Sequence, residues 1–162
     1  MFDEEDVIKK ARNLILRYMT YRARSKSEAV HYLQKKGFSE DVIEKVIREM
    51  SKYGYLNDSK FTDDFISYRK SQGYGLKRIR YELRQKGIDK KLIDQKTEEH
   101  FSNDEDLARI EKILARRDNK KKVDREDKDR LFRREAAFLQ RRGFQEHLIF
   151  TALKKKFQTD NQ

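Results

Sequence analysis

A glycine-centred phrase occurs three times in this chain, and it constrains the fold more than any other feature. The copies read LQKKGF, LRQKGI and LQRRGF, with their glycines at Gly37, Gly87 and Gly143. Three mostly polar residues and an apolar pair follow each copy. Such regular recurrence is typical of one supersecondary unit stacked in series. Repeat arrays of this kind usually present an extended binding surface, and not an enzyme pocket.

Each copy of the phrase predicts the end of one helix joined directly to the start of the next. Glycine adopts the left-handed conformation that ends a helix without a Cβ clash. Ser39 then has the character of an N-cap, and Phe38 before it is spaced to pack on Ile43 as a hydrophobic staple. We therefore expect three structural turn residues: Gly37, Gly87 and Gly143.

The composition favours an all-α fold. Proline is absent, and helix formers such as Leu, Ala, Glu, Lys and Arg are abundant. Only 36% of the residues are hydrophobic and 43% are charged, so each helix has few apolar positions to bury and must share them with its neighbours. One further helical segment precedes each capped pair, which predicts three tandem three-helix repeats.

The repeat boundaries follow from this pattern. We expect repeat 1 over 1–57, repeat 2 over 58–101, repeat 3 over 102–157 with a charged linker at 118–127, and a disordered tail at 158–162. In the third repeat Glu135 falls where the second has Ile79. This difference predicts that the middle helix of repeat 3 is rotated or less well packed.

Residues able to carry out catalysis do not cluster. The chain has no cysteine, and the three histidines are too scattered for an i,i+4 metal pair. Gly73-Tyr74-Gly75 lacks the lysine of a phosphate loop and predicts a turn. The acids Asp58, Asp63 and Asp64 are explained by a helix cap at Asn57-Asp58 and by first-turn positions. We expect no enzyme, metal, cofactor or small-molecule substrate.

The hydropathy pattern indicates a protein free of the membrane. No apolar run approaches the length of a membrane-spanning helix. The acidic start of the chain lacks the basic and apolar regions of a signal peptide. The expectation is a cytoplasmic monomer.

Positive charge recurs on one element of each repeat. The chain has a formal net charge of +11, and the segments 22–36, 76–86 and 128–142 each carry +4. This placement is typical of a stripe that faces a polyanion or an acidic partner, although solvated helix faces would give the same composition. Tyrosines accompany these basic residues, and we expect Tyr18 and Tyr68 to close the core between helices.

The order and spacing of these residues resemble the RecX family over roughly residues 11–157. In the first repeat the matching segments are Arg22-Ala23-Arg24-Ser25, Lys36-Gly37-Phe38 and Gly54-Tyr55-Leu56-Asn57-Asp58 before Phe61. In the second they are Arg69, Gly73, Gly75, Arg78-Ile79 and Glu82-Leu83 leading to Lys86-Gly87-Ile88. In the third the match is Phe138-Leu139-Gln140-Arg141-Arg142-Gly143-Phe144.

This resemblance implies an elongated, curved array of three-helix repeats that regulates the RecA recombinase. Members of the family bind the filament that RecA forms on single-stranded DNA, and they inhibit its ATPase, strand exchange and co-protease activities, which modulates recombination, DNA repair and the SOS response. The resemblance and the basic stripe together nominate contacts to RecA or DNA at Arg22, Arg24, Arg69, Lys77, Arg78, Arg80, Arg84, Arg133, Arg134, Arg141 and Arg142.

Two other functions are compatible with the residues. The first is a stand-alone helical repeat protein that binds single-stranded or duplex DNA without RecA. The second is a helical adaptor for an unrelated acidic protein. The sequence leaves open whether the basic residues touch protein or phosphate.

Overall fold

The computed structural model describes residues 3–117 and 125–159, and its regular structure there is entirely α-helical. The helices are α1 (Glu4–Thr20), α2 (Lys26–Lys35), α3 (Glu40–Lys52), α4 (Asp58–Ser71), α5 (Leu76–Gln85), α6 (Lys90–His100), α7 (Asn103–Arg116), α8 (Arg125–Arg141) and α9 (Glu146–Thr159). The all-α prediction is confirmed. Helices α1, α2 and α3 lie before the predicted boundary at 57, and α4, α5 and α6 lie between it and the boundary at 101.

The three repeated glycines end the middle helices α2, α5 and α8. Their φ angles are +81° at Gly37, +72° at Gly87 and +87° at Gly143. In the first copy the N–H of Phe38 donates to the carbonyl of Leu33 at 3.3 Å, and the same bond recurs in the other two copies. This six-to-one bond is the Schellman arrangement, so the phrase is a helix C-terminus fused to the next helix.

The chain forms two compact units that do not coincide with the repeats. The first unit comprises Met1–Phe65 and Leu83–Ile93, and the second comprises Ile66–Glu82 and Asp94–Gln162. Helices α4, α5 and α6 are each divided between them. Each unit therefore combines a terminal repeat with part of the central one.

In the first unit, the turn at Gly87 lies against the N-terminus of α2. The Ser25 hydroxyl caps α2, accepts from the N–H of Glu28 and donates to the carbonyl of Lys86 at 2.6 Å. A Cβ on Gly87 would lie 2.2 Å from Ser27 Oγ. The hydrophobic core of this unit is built from Ala11, Ile15, Ala29, Leu33, Val42, Ile43, Val46, Met50 and Leu56.

In the second unit, the turn at Gly143 lies against the N-terminus of α5 in the same manner. The N–H of Gly75 donates to the carbonyl of Arg142 at 2.8 Å, and that of Lys77 donates to Gly143 at 2.9 Å. A Cβ on Gly143 would lie 2.4 Å from the backbone nitrogen of Arg78. The core of this unit is built from Ile110, Leu114, Leu139, Phe144, Leu148, Ile149, Ala152 and Leu153.

The repeated phrase thus has a second structural role that its sequence does not reveal. The glycine turn of one repeat packs on the first turn of the middle helix of the preceding repeat, and this contact occurs twice. At Gly37, by contrast, an added Cβ would have no neighbour within 4 Å. The contacts at Gly87 and Gly143 join neighbouring repeats, which explains why the compact units cross the repeat boundaries.

Several local expectations need correction. Glu135 is only 2% exposed, and the equivalent Ile79 is also buried, so α8 is not rotated. The cap of α4 is Asn57, which accepts from the N–H of Lys60 at 3.0 Å, whereas Asp58 accepts from the N–H of Lys26 at the start of α2.

The predicted linker and tail fall mostly outside the described residues. Positions 118–124 of the linker and 160–162 of the tail are not described, whereas 125–127 and 158–159 belong to helices α8 and α9.

Candidate partner-binding surface

In every repeat, an arginine that follows or ends the first helix binds a glutamate of the middle helix. Arg22 contacts Glu28 at 2.7 Å. Arg69 donates from two nitrogens to the two oxygens of Glu82, each at 2.6 Å. In the third repeat Arg117 donates to Glu135 at 2.8 Å. Because a bidentate guanidinium–carboxylate pair fixes both groups, these arginines tie two helices of one repeat together.

The half-buried glutamates of the first two pairs are held in the charged form. Burial alone would raise the pKa of Glu82, but hydrogen bonds from Arg69 and Arg78 more than offset this, and the pKa lies below its ordinary value. Burial would also raise the pKa of Glu28. Hydrogen bonds from Arg22, the Ser25 N–H and Lys86 outweigh this effect, and the pKa is lowered. A carboxylate whose pKa is lower in the folded than in the unfolded protein stabilises the fold at pH values above its unfolded-state pKa. This stabilisation is lost as the pH falls through the folded-state pKa.

We expect the Glu82→Gln variant to lose this pH-dependent stabilisation. At pH 7 it should be less stable than the unmodified protein by about 1–2 kcal/mol, and the difference should shrink as the pH falls through the lowered folded-state pKa of Glu82. Urea denaturation at several pH values measures this. Glu98→Gln, at an exposed position, is the matched control. Parallel pH profiles of the Glu82→Gln variant and the unmodified protein would contradict the expectation.

Other nominated arginines pack on aromatic rings of the same chain. Arg24 lies 3.8 Å above the ring of Tyr18, which stacks on Tyr32 at 4.1 Å. The guanidinium carbons of Arg69 and Arg142 lie 3.8 Å and 4.7 Å from the centroid of the Tyr74 ring. A guanidinium at this distance from a ring centroid is a cation–π contact. These side chains therefore have a structural use before any partner arrives.

The tyrosines themselves divide between core and surface. Tyr18 closes the space between helices as expected, through its stack on Tyr32. The expectation for Tyr68 is wrong, because this residue is 59% exposed. Tyr21 and Tyr81 are also exposed, at 88% and 53%. Exposed rings next to basic residues are available for stacking or packing on a partner.

Some of the candidate contact residues are exposed and have either no ion pair or only a weak one within the described chain. Arg84, Arg133 and Arg141 are exposed and form no ion pair with the described residues. Lys77 and Arg134 are 59% and 61% exposed, and each approaches an acid only at 3.5 Å. Arg80, in contrast, forms an ion pair with Asp94, and Arg78 binds Glu82. The residues with available charge lie on the middle helices α5 and α8.

Sequence reasoning missed a cation that organises the second unit. Arg109 donates to the carbonyls of Lys70 and Tyr74 and pairs at 2.7 Å with Asp106, which is 1% exposed. Burial raises the pKa of Asp106 even though Arg109 opposes it. The i,i+3 spacing of Asp106 and Arg109 on one helix was the signal that could have identified the pair.

Residues 3–117 and 125–159 contain neither a metal-binding cluster nor a membrane-spanning helix. No group of three or more His, Asp or Glu side chains is arranged to hold a metal ion. None of the helices is long and apolar enough to cross a bilayer.

Comparison with known proteins identifies two adjacent domains. Residues 11–50 match the model of the RecX first three-helix domain, and residues 57–96 match that of the second. These segments contain the first two glycine turns and the first two arginine–glutamate pairs.

Curated relatives extend the similarity beyond these domains. The chain is 35% identical to the regulatory protein RecX of Bacillus subtilis, over 91% of this chain and 55% of that protein. It is 30% identical to the regulatory protein RecX of Mycolicibacterium vanbaalenii, over 86% of this chain and 78% of that protein. The chain spans about half the length of the Oceanobacillus and Bacillus relatives that it matches.

The fold agrees with a solved structure of the same family. The crystal structure of RecX from Lactobacillus salivarius superposes with a TM-score of 0.75 at 20% identity, covering 93% of this chain and 97% of that one. The domain matches, the identity to relatives and this shared fold lead to one conclusion: the chain belongs to the RecX family of regulatory proteins.

Proposed function

We propose that this protein binds the filament that RecA forms on single-stranded DNA and inhibits RecA ATPase, strand exchange and co-protease activity, without being an enzyme itself. Membership of the RecX family is the observation that carries the proposal. It implies a regulatory role connected with RecA, and through RecA a modulation of recombination and the SOS response.

The arrangement of cations supports a contact made in several places. Arg84 lies on the middle helix of repeat 2, and Arg133 and Arg141 lie on that of repeat 3. All three are exposed and have no acidic partner among the described residues. Several weak contacts on one scaffold give avidity without a deep pocket. A filament, which repeats its own subunits, is a suitable target for such contacts.

The test is RecA's DNA-dependent ATPase with this protein added below the RecA concentration. The proposal expects the ATPase and strand-exchange rates to fall steeply, because each bound molecule would contact more than one RecA subunit. No effect at any ratio, including excess over RecA, would refute the proposed function.

Charge reversal separates the available cations from those used within the fold. We expect the triple variant Arg84→Glu, Arg133→Glu, Arg141→Glu to bind filaments at least tenfold more weakly, with an unchanged helical circular dichroism spectrum, because no intramolecular pair is broken.

The control makes the same change in net charge at exposed lysines outside the middle helices, as Lys9→Glu, Lys10→Glu, Lys52→Glu. Anisotropy with labelled protein measures both affinities. Equal losses in the two triple variants would mean that net charge alone governs binding, and this would contradict the assignment to α5 and α8.

A second candidate function is stand-alone binding of nucleic acid, which the net charge of +11 favours. That function requires tight binding of DNA without RecA. It also requires a steep fall of affinity with salt, since each neutralised phosphate releases counterions. Binding that needs RecA and changes little with salt would exclude it.

A further inference from the structure

An open groove lies between α2 and α3 of the first repeat. Its volume is about 550 Å³, within the range of sites that hold small molecules or side chains. Val30, Ile43 and Ile47 supply its apolar surface, and Ile43 is almost fully buried. The other lining residues are polar or charged. The groove is contained within one compact unit.

The third repeat fills the corresponding space with aromatic rings. When the three glycine turns are aligned, Phe132 corresponds to Lys26, and Phe157 corresponds to Ser51. The Phe132 ring lies 5.7 Å from that of Phe157 and 6.4 Å from that of Phe150, between centroids. Both Phe132 and Phe157 pack against the core of their unit. This position in a repeat can therefore hold aromatic side chains.

The second repeat has charged side chains at the corresponding positions. Arg80 and Asp94 form an ion pair there, at the positions that correspond to Val30 and Glu44. Valine is too short and uncharged to make this bridge. The first repeat has neither the rings of the third nor the ion pair of the second, and the apolar side chains of Val30 and Ile47 stay partly exposed.

The charges around the groove indicate the chemistry of its occupant. Lys26 and Arg48 lie at the end away from the Gly37 turn, and Glu40 lies near the turn. Glu44 also lines the groove and pairs with Arg48. The rim carries two positive and two negative groups in a protein that is strongly basic overall. Because these charges balance, the rim does not attract phosphate as the basic middle helices would, and the apolar surface of the groove suits a protein side chain better than a nucleobase.

We propose that this groove binds a bulky apolar side chain, aromatic for preference, from a partner protein, with an acidic residue of that partner reaching Lys26. The inference rests on the proposed function, in which the partner protein is a RecA subunit in its filament. The groove would add an apolar anchor at the first repeat to the charged contacts of the other two. Anchors of this type carry most of the binding energy in many interfaces.

Two variants close the groove by copying the other repeats. Ser51→Phe introduces the ring of repeat 3, and Val30→Arg introduces the cation of repeat 2 within reach of Glu44. Ser67→Phe, at an exposed position of α4, is the control for an added ring. Binding to RecA filaments on single-stranded DNA, to the DNA alone and to a second copy of this protein is measured for each variant. Circular dichroism melting checks the fold, and a variant that fails to fold leaves the other to decide.

The proposal expects both groove variants to bind filaments at least tenfold more weakly than the unmodified protein, while Ser67→Phe binds as before. Filament binding by either folded groove variant at full strength would overturn the groove and leave the proposed function intact. Loss of binding to DNA alone would assign the groove to a nucleobase, and loss of self-association would assign it to a second copy; each would overturn the proposal. If the unmodified protein does not bind filaments, the proposed function is refuted, and RecA is then also excluded as the partner of the groove.

Discussion

The Gly143→Ala variant should be less stable than the unmodified protein by about 2–5 kcal/mol. Alanine at a φ of +87° costs about 1–2 kcal/mol, because its Cβ crowds the following carbonyl. A further cost of about 1–3 kcal/mol arises from overpacking. The new Cβ would lie 2.4 Å from both the backbone nitrogen and the Cβ of Arg78, at the first turn of α5. Backbone cannot rotate away as a side chain can.

Gly37→Ala separates the two costs. Its φ of +81° is nearly the same, but its added Cβ meets nothing within 4 Å. The expected loss is therefore only the conformational part, about 1–2 kcal/mol. Urea denaturation of both variants under one set of conditions gives the comparison. Equal losses would show that the turn of repeat 3 is not packed on α5 as described.

Gly87→Ala tests the corresponding contact in the first unit. There the added Cβ would meet the side chain of Ser27, at 2.2 Å from Oγ and 2.3 Å from Cβ, while the nearest backbone atom is 3.9 Å away. Removing that side chain in a Ser27→Gly, Gly87→Ala double variant should relieve the overpacking. Against a Ser27→Gly background, Gly87→Ala should then cost no more than Gly37→Ala does.

The local chemistry of the turns could be predicted, but their packing could not. A leucine four residues before a glycine, with a capping residue after it, specifies a helix end and a helix start from neighbouring residues alone. That Gly87 and Gly143 also face the middle helix of the preceding repeat depends on residues some sixty positions away, as in the bond from Ser25 to Lys86. No short-range pattern carries this information.

The same limit applies to the nominated binding residues. Arg69 and Arg84 both belong to the basic repeat pattern, and composition treats them alike. The structure gives Arg69 two bonds to Glu82, whereas Arg84 is exposed with no acid nearby in the described chain. Which basic residue meets an acid is decided by helix packing. The basic repeat pattern therefore does not distinguish an arginine used within the fold from one exposed to solvent.

Glu135 shows how one repeat tolerates a charge at a core position. Its carboxylate is 2% exposed and is paired with Arg117, whose guanidinium also lies 3.6 Å above the ring of Phe138. Arg117→Met keeps a long side chain over the ring and removes the charge. Because the carboxylate is then left buried without its closest cation, we expect a loss of about 3 kcal/mol in the free energy of unfolding.

The matched control is Arg116→Met, at the preceding and exposed position, which should change stability by no more than about 0.5 kcal/mol. Adding Glu135→Ile to Arg117→Met installs the residue that the second repeat has at this place, Ile79, and should restore most of the lost stability. A buried ion pair replaced by apolar groups of similar size is often neutral or stabilising. Thermal and urea unfolding of the single and double variants measure this. If Glu135→Ile fails to rescue the Arg117→Met variant, then the loss comes from the contact with Phe138, and the uncompensated carboxylate is not its cause.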